Sequence, residues 1–382
     1  MSSDENRPNR QIAQAEAALQ AWDLGSIQSV TPVSGGLIHA TFRVVSHQGT
    51  FCLQALHPKL ATDEILSDWE AVCHHLAAKG LAAPRPRPTK RTSRSWTEAS
   101  GRRWRLATWL QGETLQAIVQ PHQARQAAAL FGRFYQAMRD IPYEFQSSHP
   151  LHDTAFHLKA LEAALDRMTQ AGRRWDAATD RDDKLGWAGE GDPTGELDWA
   201  GEVEALGRSC IEAGRRLSLP GHLPRWIVHG DPKITNLLFR NGEAFAVLDM
   251  DTCGPHSILV DLGDALRSWA MAGPEDDSRG VRLDVVEEAL AGWAEAGLQL
   301  TQDELALLPD APAVITWELA SRFTRDVIED TYFGWDATKY PSRRAHNLAR
   351  ARSMASLAGA FEAHRQDLAT MVGRIFGEGG NS

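Results

Sequence analysis

The sequence is poor in cysteine, in net positive charge and in long apolar runs, and each shortage excludes a class of protein. Its four cysteines stand far apart with no Cys-x-x-Cys spacing, so we expect neither a zinc site nor a disulfide framework. Lys and Arg number 40 against 50 Asp and Glu, a net charge of −10, which argues against binding to nucleic acid or to an acidic membrane. No window approaches the ~18 uncharged apolar residues of a membrane span.

What is present is typical of a folded, soluble protein. Hydrophobic residues make up 43% of the chain, which is ordinary for a folded protein. The first residues are polar and lack the apolar region of a secretory signal, and the unpaired cysteines favour a reducing compartment, so we expect a cytoplasmic protein. At 382 residues the chain is long for one hydrophobic core, and two lobes are expected.

The stretch from Trp226 to Asp264 carries the most informative pattern. Its short apolar runs, bounded by Gly, Asn and Asp, predict strands at Trp226–Val228, Leu237–Phe239, Ala244–Leu248 and Ile258–Val260. The Asn241-Gly242 pair favours a hairpin turn. The acidic residues of the stretch therefore lie at strand ends and in loops, where scaffolds usually hold reacting groups.

The spacing of three polar residues matches the needs of phosphoryl transfer from ATP. That reaction needs a carboxylate to accept the proton of the attacking hydroxyl, and oxygen ligands for Mg²⁺; in protein kinases a catalytic-loop Asp precedes a metal-binding Asn by five residues. Here Asp231 is followed five residues later by Asn236, and Asp249 ends the next predicted strand. We assign Asp231 as the base, and Asn236 and Asp249 as Mg²⁺ ligands.

These residues resemble the signature of the aminoglycoside phosphotransferase and choline kinase superfamily. The segments that carry the resemblance are His229-Gly230-Asp231 through Asn236, Leu248-Asp249 and Asp261-Leu-Gly-Asp264. The resemblance implies an ATP- and Mg²⁺-dependent kinase of a small molecule, with a two-lobed, protein-kinase-like α+β fold. Residues 1–110 would form the nucleotide-binding lobe around a small antiparallel sheet, preceded by an N-terminal helix. Residues 111–382 would form a larger, mostly helical lobe for catalysis and acceptor binding.

Further segments are similar to N-acetylhexosamine 1-kinases. They are Gly35–Phe42, Phe51–Gln54, Leu151–Thr154, Arg322–Asp326, Asp330–Phe333 and His346–Arg350. This similarity implies transfer of phosphate to the anomeric hydroxyl of an N-acetylhexosamine or a related sugar, by a monomer or a homodimer. Two alternatives stay open: a kinase of the same fold for an aminoglycoside, an amino alcohol or another sugar, and a non-catalytic nucleotide-binding relic of a kinase.

The predicted nucleotide site has one unusual feature. Ser34, Gly35 and Gly36 are the candidate phosphate loop, although hairpin turns use such glycines routinely. The strand position that usually holds a phosphate-binding lysine is Gln54, which can donate a hydrogen bond but carries no charge. The candidates for a replacement cation are Arg43, His57, Lys59 and Arg105. Within the resemblance, Trp109 and Leu110 correspond to the inter-lobe hinge that meets the adenine.

The resemblance also indicates where the acceptor would bind and which residues would support the loop. The implied acceptor contacts are Lys233, His152, Asp153, Arg267, Arg322, Asp326 and Tyr332. An ordinary salt bridge between Arg322 and Asp326, four residues apart on a helix, is an equally good explanation of that pair, and Lys233 could be a solvated loop residue. His229, Asp261 and Asp264 are expected to order the catalytic loop.

Overall fold

The computed structural model describes residues 7–33, 39–147, 152–177 and 199–377. Strands within these residues are β1 (Ile27–Val33), β2 (Ala40–Ser46), β3 (Gly49–Ala55), β4 (Pro86–Arg87), β5 (Trp96–Thr97), β6 (Arg103–Thr108), β7 (Arg225–Val228), β8 (Leu237–Arg240), β9 (Glu243–Val247) and β10 (Gly254–Ser257). Helices are α1 (Arg7–Leu19), α2 (Asp63–Ala78), α3 (Pro121–Met138), α4 (Thr154–Ala177), α5 (Trp199–Arg216), α6 (Ile258–Ala270), α7 (Leu283–Glu295), α8 (Gln302–Leu307), α9 (Ala311–Glu329), α10 (Arg343–Ala363) and α11 (Arg365–Gly377).

The first six strands form one antiparallel sheet in the order β1-β2-β3-β6-β4, with β5 on β6. Alternate residues of β2 and β3 are buried, because successive side chains of a strand point to opposite faces. One face packs Phe42, Leu53 and Trp104 with α1 into a common core. In the register of the sheet, Gln54 on β3 lies opposite Arg105 on β6, which brings these two polar side chains together.

Two small pairs of antiparallel strands contain most of the Trp226–Asp264 stretch. Strand β7 pairs with β10, and β8 pairs with β9. The turn between β8 and β9 has positive φ at both Asn241 (53°) and Gly242 (82°), the backbone that an Asn-Gly hairpin turn requires. The predicted hairpin is therefore confirmed, and it places Asn236 at the start of β8 and Asp249 just past the end of β9.

The predicted strand at Ile258–Val260 is wrong. Those residues form the first turn of α6, and the strand ends one residue earlier, at Ser257. All three side chains are buried, and a short apolar run gives the same signal for a buried strand and for a buried helical turn. The helix places Asp261 in its first turn and Asp264 one turn later.

The helical part of the chain is organised around α9. Helices α4, α5 and α10 all pack against it, and Val314 and Ile315 of α9 form a cluster with Val260 of α6. The antiparallel sheet in the N-terminal region and the many helices after it confirm the predicted α+β class. Among the helices that the structure describes, none combines the length and the apolar composition needed to cross a membrane.

Contacts divide the chain into two compact units. The first comprises residues 1–151, 224–258 and 291–299, and the second comprises 152–223, 259–290 and 300–382. The strand pairs β7–β10 and β8–β9 thus group with the N-terminal sheet rather than with the helices that follow them in the chain. The lobe boundary near residue 110 remains a prediction, because this grouping cuts the chain at other positions.

Candidate active site

The catalytic loop begins where β7 ends, and His229 fixes its backbone. The Nδ1 atom of His229 accepts the backbone N–H of Asp231 at 3.3 Å. Its Nε2 therefore carries the proton and donates to the carbonyl of Leu248 at 2.8 Å. The edges of Phe131 and Phe134 on α3 close over the fully buried ring. His229 thus joins the loop before Asp231 to the strand before Asp249.

Gly230 is a position where the geometry requires glycine. Its φ is +84°, and a Cβ atom there would lie 2.5 Å from the carbonyl oxygen of Thr252. The hydroxyl of Thr252 donates to the carbonyl of His229 at 2.8 Å. The close approach of these two backbones holds the loop at Asp231 beside the turn that follows Asp249.

Asp231, Lys233 and Asn236 form a closely bonded group on this loop. The amide Nδ2 of Asn236 donates to the backbone carbonyl of Asp231 at 2.8 Å, which leaves the amide oxygen of Asn236 for a cation. The ammonium of Lys233 lies 2.8 Å from Oδ1 of Asp231. The carbonyl of Asn236 in turn accepts the N–H of Leu248 at 2.8 Å. Asn236 therefore lies next in space to the Leu248-Asp249 pair.

Asp249 has an unusual backbone and an unusual acidity. Its φ of 58° and ψ of 53° place it in the left-handed region, which non-glycine residues enter rarely and mostly at functional sites. Desolvation by the surrounding chain, with repulsion from Asp251 and Asp231, raises the pKa of Asp249 to about 6. Because neighbouring carboxylates disfavour the ionised form of Asp249, the site suits a divalent cation, whose positive charge would favour that form.

Next to Asp249 lies a buried network that sequence reasoning did not assign to the site. Arg105 clamps both carboxylate oxygens of Asp251, and the ring of His39 contacts the same carboxylate with its Nε2 atom 2.9 Å from Oδ2. Burial alone would raise the pKa of Asp251, but Arg105 and then His39 more than offset it, so the pKa lies well below its usual range. The sequence signals were the place of Arg105 among the four candidate cations and the position of Asp251 two residues after the predicted metal ligand Asp249.

The same network limits where a metal ion can bind. One ligand atom each of His39, Asp249 and Asp251 lies within 4.8 Å of the others. However, Nδ1 of His39 accepts the backbone N–H of His57 at 3.0 Å, so its Nε2 carries a proton and has no lone pair for a metal. Both oxygens of Asp251 already accept from Arg105. Of this trio, the carboxylate of Asp249 is the group best suited to a metal.

Only some of the predicted nucleotide-binding residues lie in the part of the chain that the structure describes. Ser34, Gly35 and Gly36 lie outside the described residues. Gln54 is half-buried, and its Oε1 accepts the Nε–H of Arg105 at 2.9 Å. Trp109 and Leu110 follow the end of β6, half-buried, and the N–H of Trp109 donates to Thr50 on β3 at 3.0 Å.

The predicted acceptor-side residues, apart from Lys233, lie in the second compact unit. His152 is buried, with Nδ1 2.8 Å from Oε1 of Glu318. Exposed Asp153 accepts the N–H of Phe156 at 3.0 Å and so caps the start of α4. Arg267 and Asp264 form a buried ion pair at 2.6 Å on successive turns of α6, and Asp261 is fully buried in its first turn.

Asp326 has a structural explanation that differs from a salt bridge with Arg322. Its carboxylate accepts three backbone N–H groups of the loop after α9, at Thr331, Tyr332 and Phe333, each at 2.9 Å. Arg322 instead lies over the ring of Phe333, 5.7 Å from its centroid. Asp326 therefore shapes the loop that leaves the side chain of Tyr332 48% exposed.

Comparisons with known proteins show to which family the chain belongs. A model of the APH family, described as a phosphotransferase enzyme family, matches residues 29–298. A homoserine kinase of Xanthobacter autotrophicus is 23% identical over 300 residues, which cover 78% of this chain and 80% of the relative.

Solved structures are similar to the whole described fold. An aminoglycoside phosphotransferase from Alicyclobacillus acidocaldarius matches with a TM-score of 0.60 at 13% identity, covering 94% of this chain and 96% of that one. An amicoumacin kinase in complex with AMP-PNP, Ca²⁺ and Ami matches with a TM-score of 0.57 at 15% identity, covering 92% of this chain and 95% of that one. At these identities the likeness concerns the fold.

Proposed function

We infer the function of this chain from the premise that it belongs to the APH family, the phosphotransferase enzyme family, which acts on hydroxyl acceptors. We propose that it is a small-molecule kinase that uses ATP and Mg²⁺. The observation that carries the proposal is the grouping of Asp231, Asn236 and Asp249 by two hairpins and the histidine bridge between them. A structure similar in fold holds AMP-PNP and Ca²⁺, which supports a nucleotide and a divalent cation as ligands.

In the proposed reaction Asp231 acts on the acceptor. Its carboxylate orients the acceptor hydroxyl and takes its proton while the hydroxyl oxygen forms a bond to the γ-phosphorus of ATP. The bond between that phosphorus and the β–γ bridging oxygen breaks, and ADP leaves. Lys233, 2.8 Å from Asp231, is placed to hold the transferring phosphoryl group once that carboxylate has accepted a proton.

Asn236 and Asp249 are the residues that would hold Mg²⁺. One amide oxygen and one carboxylate suit this ion, which prefers few protein ligands together with phosphate oxygens and water. When bound, the ion would neutralise charge on the phosphates. Asp249 has a left-handed backbone just past the β8–β9 hairpin, and one ligand atom of its side chain lies within 4.8 Å of His39 and Asp251.

For the acceptor we propose the anomeric hydroxyl of an N-acetylhexosamine or a related sugar. The support is the set of sequence segments similar to N-acetylhexosamine 1-kinases, from the Gln54 strand to the His346–Arg350 tail. On the acceptor side, the charges of His152, Asp264 and Arg322 lie close enough to influence one another, and Tyr332 offers an exposed aromatic ring. Polar groups of both signs beside an aromatic ring suit a sugar.

Homoserine is the second candidate acceptor. The curated homoserine kinase from Xanthobacter autotrophicus aligns with more than three quarters of this chain. Arg322, which is partly exposed, could bind the carboxylate that an amino-acid acceptor carries. Homoserine also presents a primary hydroxyl, which the same base could activate.

The deciding experiment measures ADP release from Mg-ATP across a panel of acceptors. The panel contains N-acetylglucosamine, N-acetylgalactosamine, glucose, galactose, homoserine, choline and kanamycin, and each product is checked by mass for one added phosphate. We expect phosphate on a hexosamine and loss of its reducing end. Turnover on homoserine alone would replace the sugar assignment, and no turnover on any acceptor, with nucleotide still bound, would contradict it.

The base assignment has its own test. Asp231→Asn keeps the shape of the side chain but cannot accept the proton, so we expect a loss of turnover of at least about a hundredfold, the range for removing a general base. Affinity for Mg-AMP-PNP, measured by calorimetry, should stay near that of the unmodified protein. Near-normal turnover in this variant would show that another group takes the proton.

A further inference from the structure

Gln54 leaves the nucleotide site without the lysine that protein kinases place on this strand and pair with a glutamate of the following helix. We propose that Arg105, Asp251 and His39 form a positioning network that replaces that ion pair and ties the metal-binding loop at Asp249 to the N-terminal sheet. This inference deepens the proposed function and rests on it. All of its residues lie in the first compact unit.

The first step of the argument is where the cation lies. Arg105 stands directly across the β3–β6 ladder from Gln54 and is only 2% exposed. Its Nε–H donates to Oε1 of Gln54 at 2.9 Å, so the amide of Gln54 is held with its NH₂ group turned away from the guanidinium. That NH₂ group contacts the hydroxyl of Thr41 on β2 at 3.4 Å. The positive charge that protein kinases carry on β3 is therefore carried here on the neighbouring strand β6, where Arg105 orients Gln54.

The second step is the partner of the cation. The helix that follows β3 is α2, and its two glutamates do not serve: Glu64 is exposed and Glu70 pairs with Arg94. From α2 the guanidinium receives an aromatic face instead, with Trp69 at 4.2 Å from ring centroid to Cζ. Both terminal nitrogens of the guanidinium donate to the carboxylate of Asp251. A lysine could not reproduce this two-pronged geometry.

The third step is the position of Asp251 in the chain relative to the proposed metal ligand Asp249. Asp251 follows Asp249 by two residues, in the short 3₁₀ turn Met250–Thr252. Its carboxylate is also bound by His39, whose own orientation is set by the N–H of His57. Each contact ties the turn to the sheet or to its flanking loop. Asp249 is left in a left-handed conformation, which persists only where surrounding contacts determine it.

The charge balance identifies Arg105 as a positioning residue rather than a direct phosphate ligand. Arg105 and Asp251 neutralise one another, and His39, which donates through Nε2 and accepts through Nδ1, is neutral. The network therefore offers the nucleotide little net positive charge. It acts by fixing Asp249 for the metal and Gln54 for the phosphates.

The main test replaces the whole pair, because breaking one half of a buried ion pair destabilises far more than replacing both partners. Arg105→Met with Asp251→Leu fills the space with apolar side chains. The matched control is Arg103→Met on the same strand, which removes a partly exposed pair with Asp63 at the start of α2. For each variant, the melting temperature, the Mg²⁺ concentration for half-maximal AMP-PNP binding, and kcat and KM are measured.

We expect the double variant to melt within a few degrees of the Arg103→Met control yet to need about 10 to 100 times more Mg²⁺, the usual cost of losing an outer-sphere contact at a metal site. Its kcat should fall by a similar factor while KM for the acceptor stays within about twofold. A purely structural role would lower the melting temperature and leave the Mg²⁺ requirement of the folded protein unchanged. That result would overturn the proposal.

A second variant covers the case in which the double variant does not fold. Arg105→Lys keeps one positive charge and loses the two-pronged grip on Asp251, so the Mg²⁺ requirement should rise in a folded protein. A requirement equal to that of the control would again overturn the proposal. Because the Mg²⁺ readout uses AMP-PNP binding, it remains decisive if no acceptor is phosphorylated. Failure of the acceptor panel would therefore count against the proposed function alone.

Discussion

Gln54 on β3 and Arg105 on β6 lie opposite each other on adjacent strands. Because the positive charge lies on β6 and not at position 54, substitutions of Gln54 should act differently here than in kinases with a lysine at that position. In most kinases of this architecture a lysine at the glutamine position binds phosphates. Here the guanidinium of Arg105 already fills the neighbouring space, with its Nε 2.9 Å from Oε1 of Gln54. A positive side chain at position 54 would lie beside the Nε edge of that guanidinium, whereas Asp251 binds its other edge.

Gln54→Lys is therefore expected to weaken Mg-AMP-PNP binding, although it restores the residue that other kinases carry. Two like charges at about 4 Å repel by a few kcal/mol where the effective dielectric constant is near 20, and Asp251, on the other edge of the guanidinium, offsets only part of this. Lysine also cannot accept the Nε–H of Arg105 as Gln54 does. Calorimetric titration measures the affinity, and Gln54→Met serves as a neutral control of similar size. Tighter nucleotide binding by the lysine variant than by the methionine variant would contradict the role given to Arg105.

His152 and Glu318 form a buried pair in the second compact unit whose acidity shifts have opposite signs. Burial disfavours the protonated imidazole, but Glu318 more than offsets this, so the pKa of His152 lies above its ordinary 6.5. Burial likewise disfavours the carboxylate, but His152 outweighs it and the pKa of Glu318 lies below its ordinary 4.5. The pair stabilises fully between these two ordinary values.

We expect this pair to give the protein a pH-dependent free energy of unfolding. The contribution of His152 is lost as pH rises above 6.5 through its raised pKa, and that of Glu318 is lost as pH falls below 4.5. Urea unfolding of the unmodified protein and of Glu318→Gln at pH 5.5 and pH 8 checks the first part. The stability difference between the two proteins should shrink at pH 8, and an unchanged difference would contradict the assignment of charge.

At the scale of elements, close packing of backbones explains glycines that the sequence pattern only marked. Gly263 lies between Asp261 and Asp264 on α6, and a Cβ atom there would lie 2.6 Å from the carbonyl oxygen of Ala311 at the start of α9. Only glycine allows the two helices to approach this closely. The Asp-Leu-Gly-Asp segment thus contributes packing through its glycine as well as polarity through its acids.

Gly263→Ala should destabilise the protein by about 1–3 kcal/mol, the usual cost of overpacking. Gly359→Ala on α10 is the matched control in the same compact unit, because an added Cβ there meets no atom within 4 Å. That exposed helical position should gain roughly 0.4–1 kcal/mol from the reduced entropy of the unfolded chain. Urea midpoints measure both changes, and equal effects of the two substitutions would refute the packing argument.

At the scale of the whole molecule, the folded state and the ligand-bound state are linked. The proposed ligands bind only where β3, β6 and the two hairpins are assembled, and the unfolded chain offers no such site. Binding therefore raises the free energy of unfolding in proportion to the logarithm of one plus the ratio of free ligand concentration to its dissociation constant. The crowded carboxylates of Asp231, Asp249 and Asp251 make a cation part of this gain.

Mg-AMP-PNP at a hundred times its dissociation constant should stabilise the protein by about 2.7 kcal/mol, seen as a rise in melting temperature. Removing the metal with EDTA should abolish most of the rise at the same nucleotide concentration. Asp249→Ala should show the smaller, EDTA-insensitive rise throughout. A rise that is the same with and without metal would contradict the role of Asp249 as a ligand.

The sequence by itself determined the elements whose signals are local. The Asn241-Gly242 turn follows from turn chemistry, which depends on neighbours in the chain. The α+β class and the small-molecule kinase family follow from the family resemblance that short motifs such as Asp231 through Asn236 carry. Where two structures share one local signal, as at Ile258–Val260, the pattern chose wrongly. Burial on all sides made that apolar run a helical turn.

Only the tertiary structure shows which of the candidate cations lies beside Gln54. Four candidates were equal in sequence, and the antiparallel register that sets Arg105 against Gln54 chose among them. Its partner Asp251 is 146 residues away along the chain, and no local pattern joins residues so far apart. The same holds for Asp326, whose apparent pairing with Arg322 at helical spacing gave way to three backbone amides of the following loop. Contacts between distant segments depend on the assembled fold, which is why they were decided last.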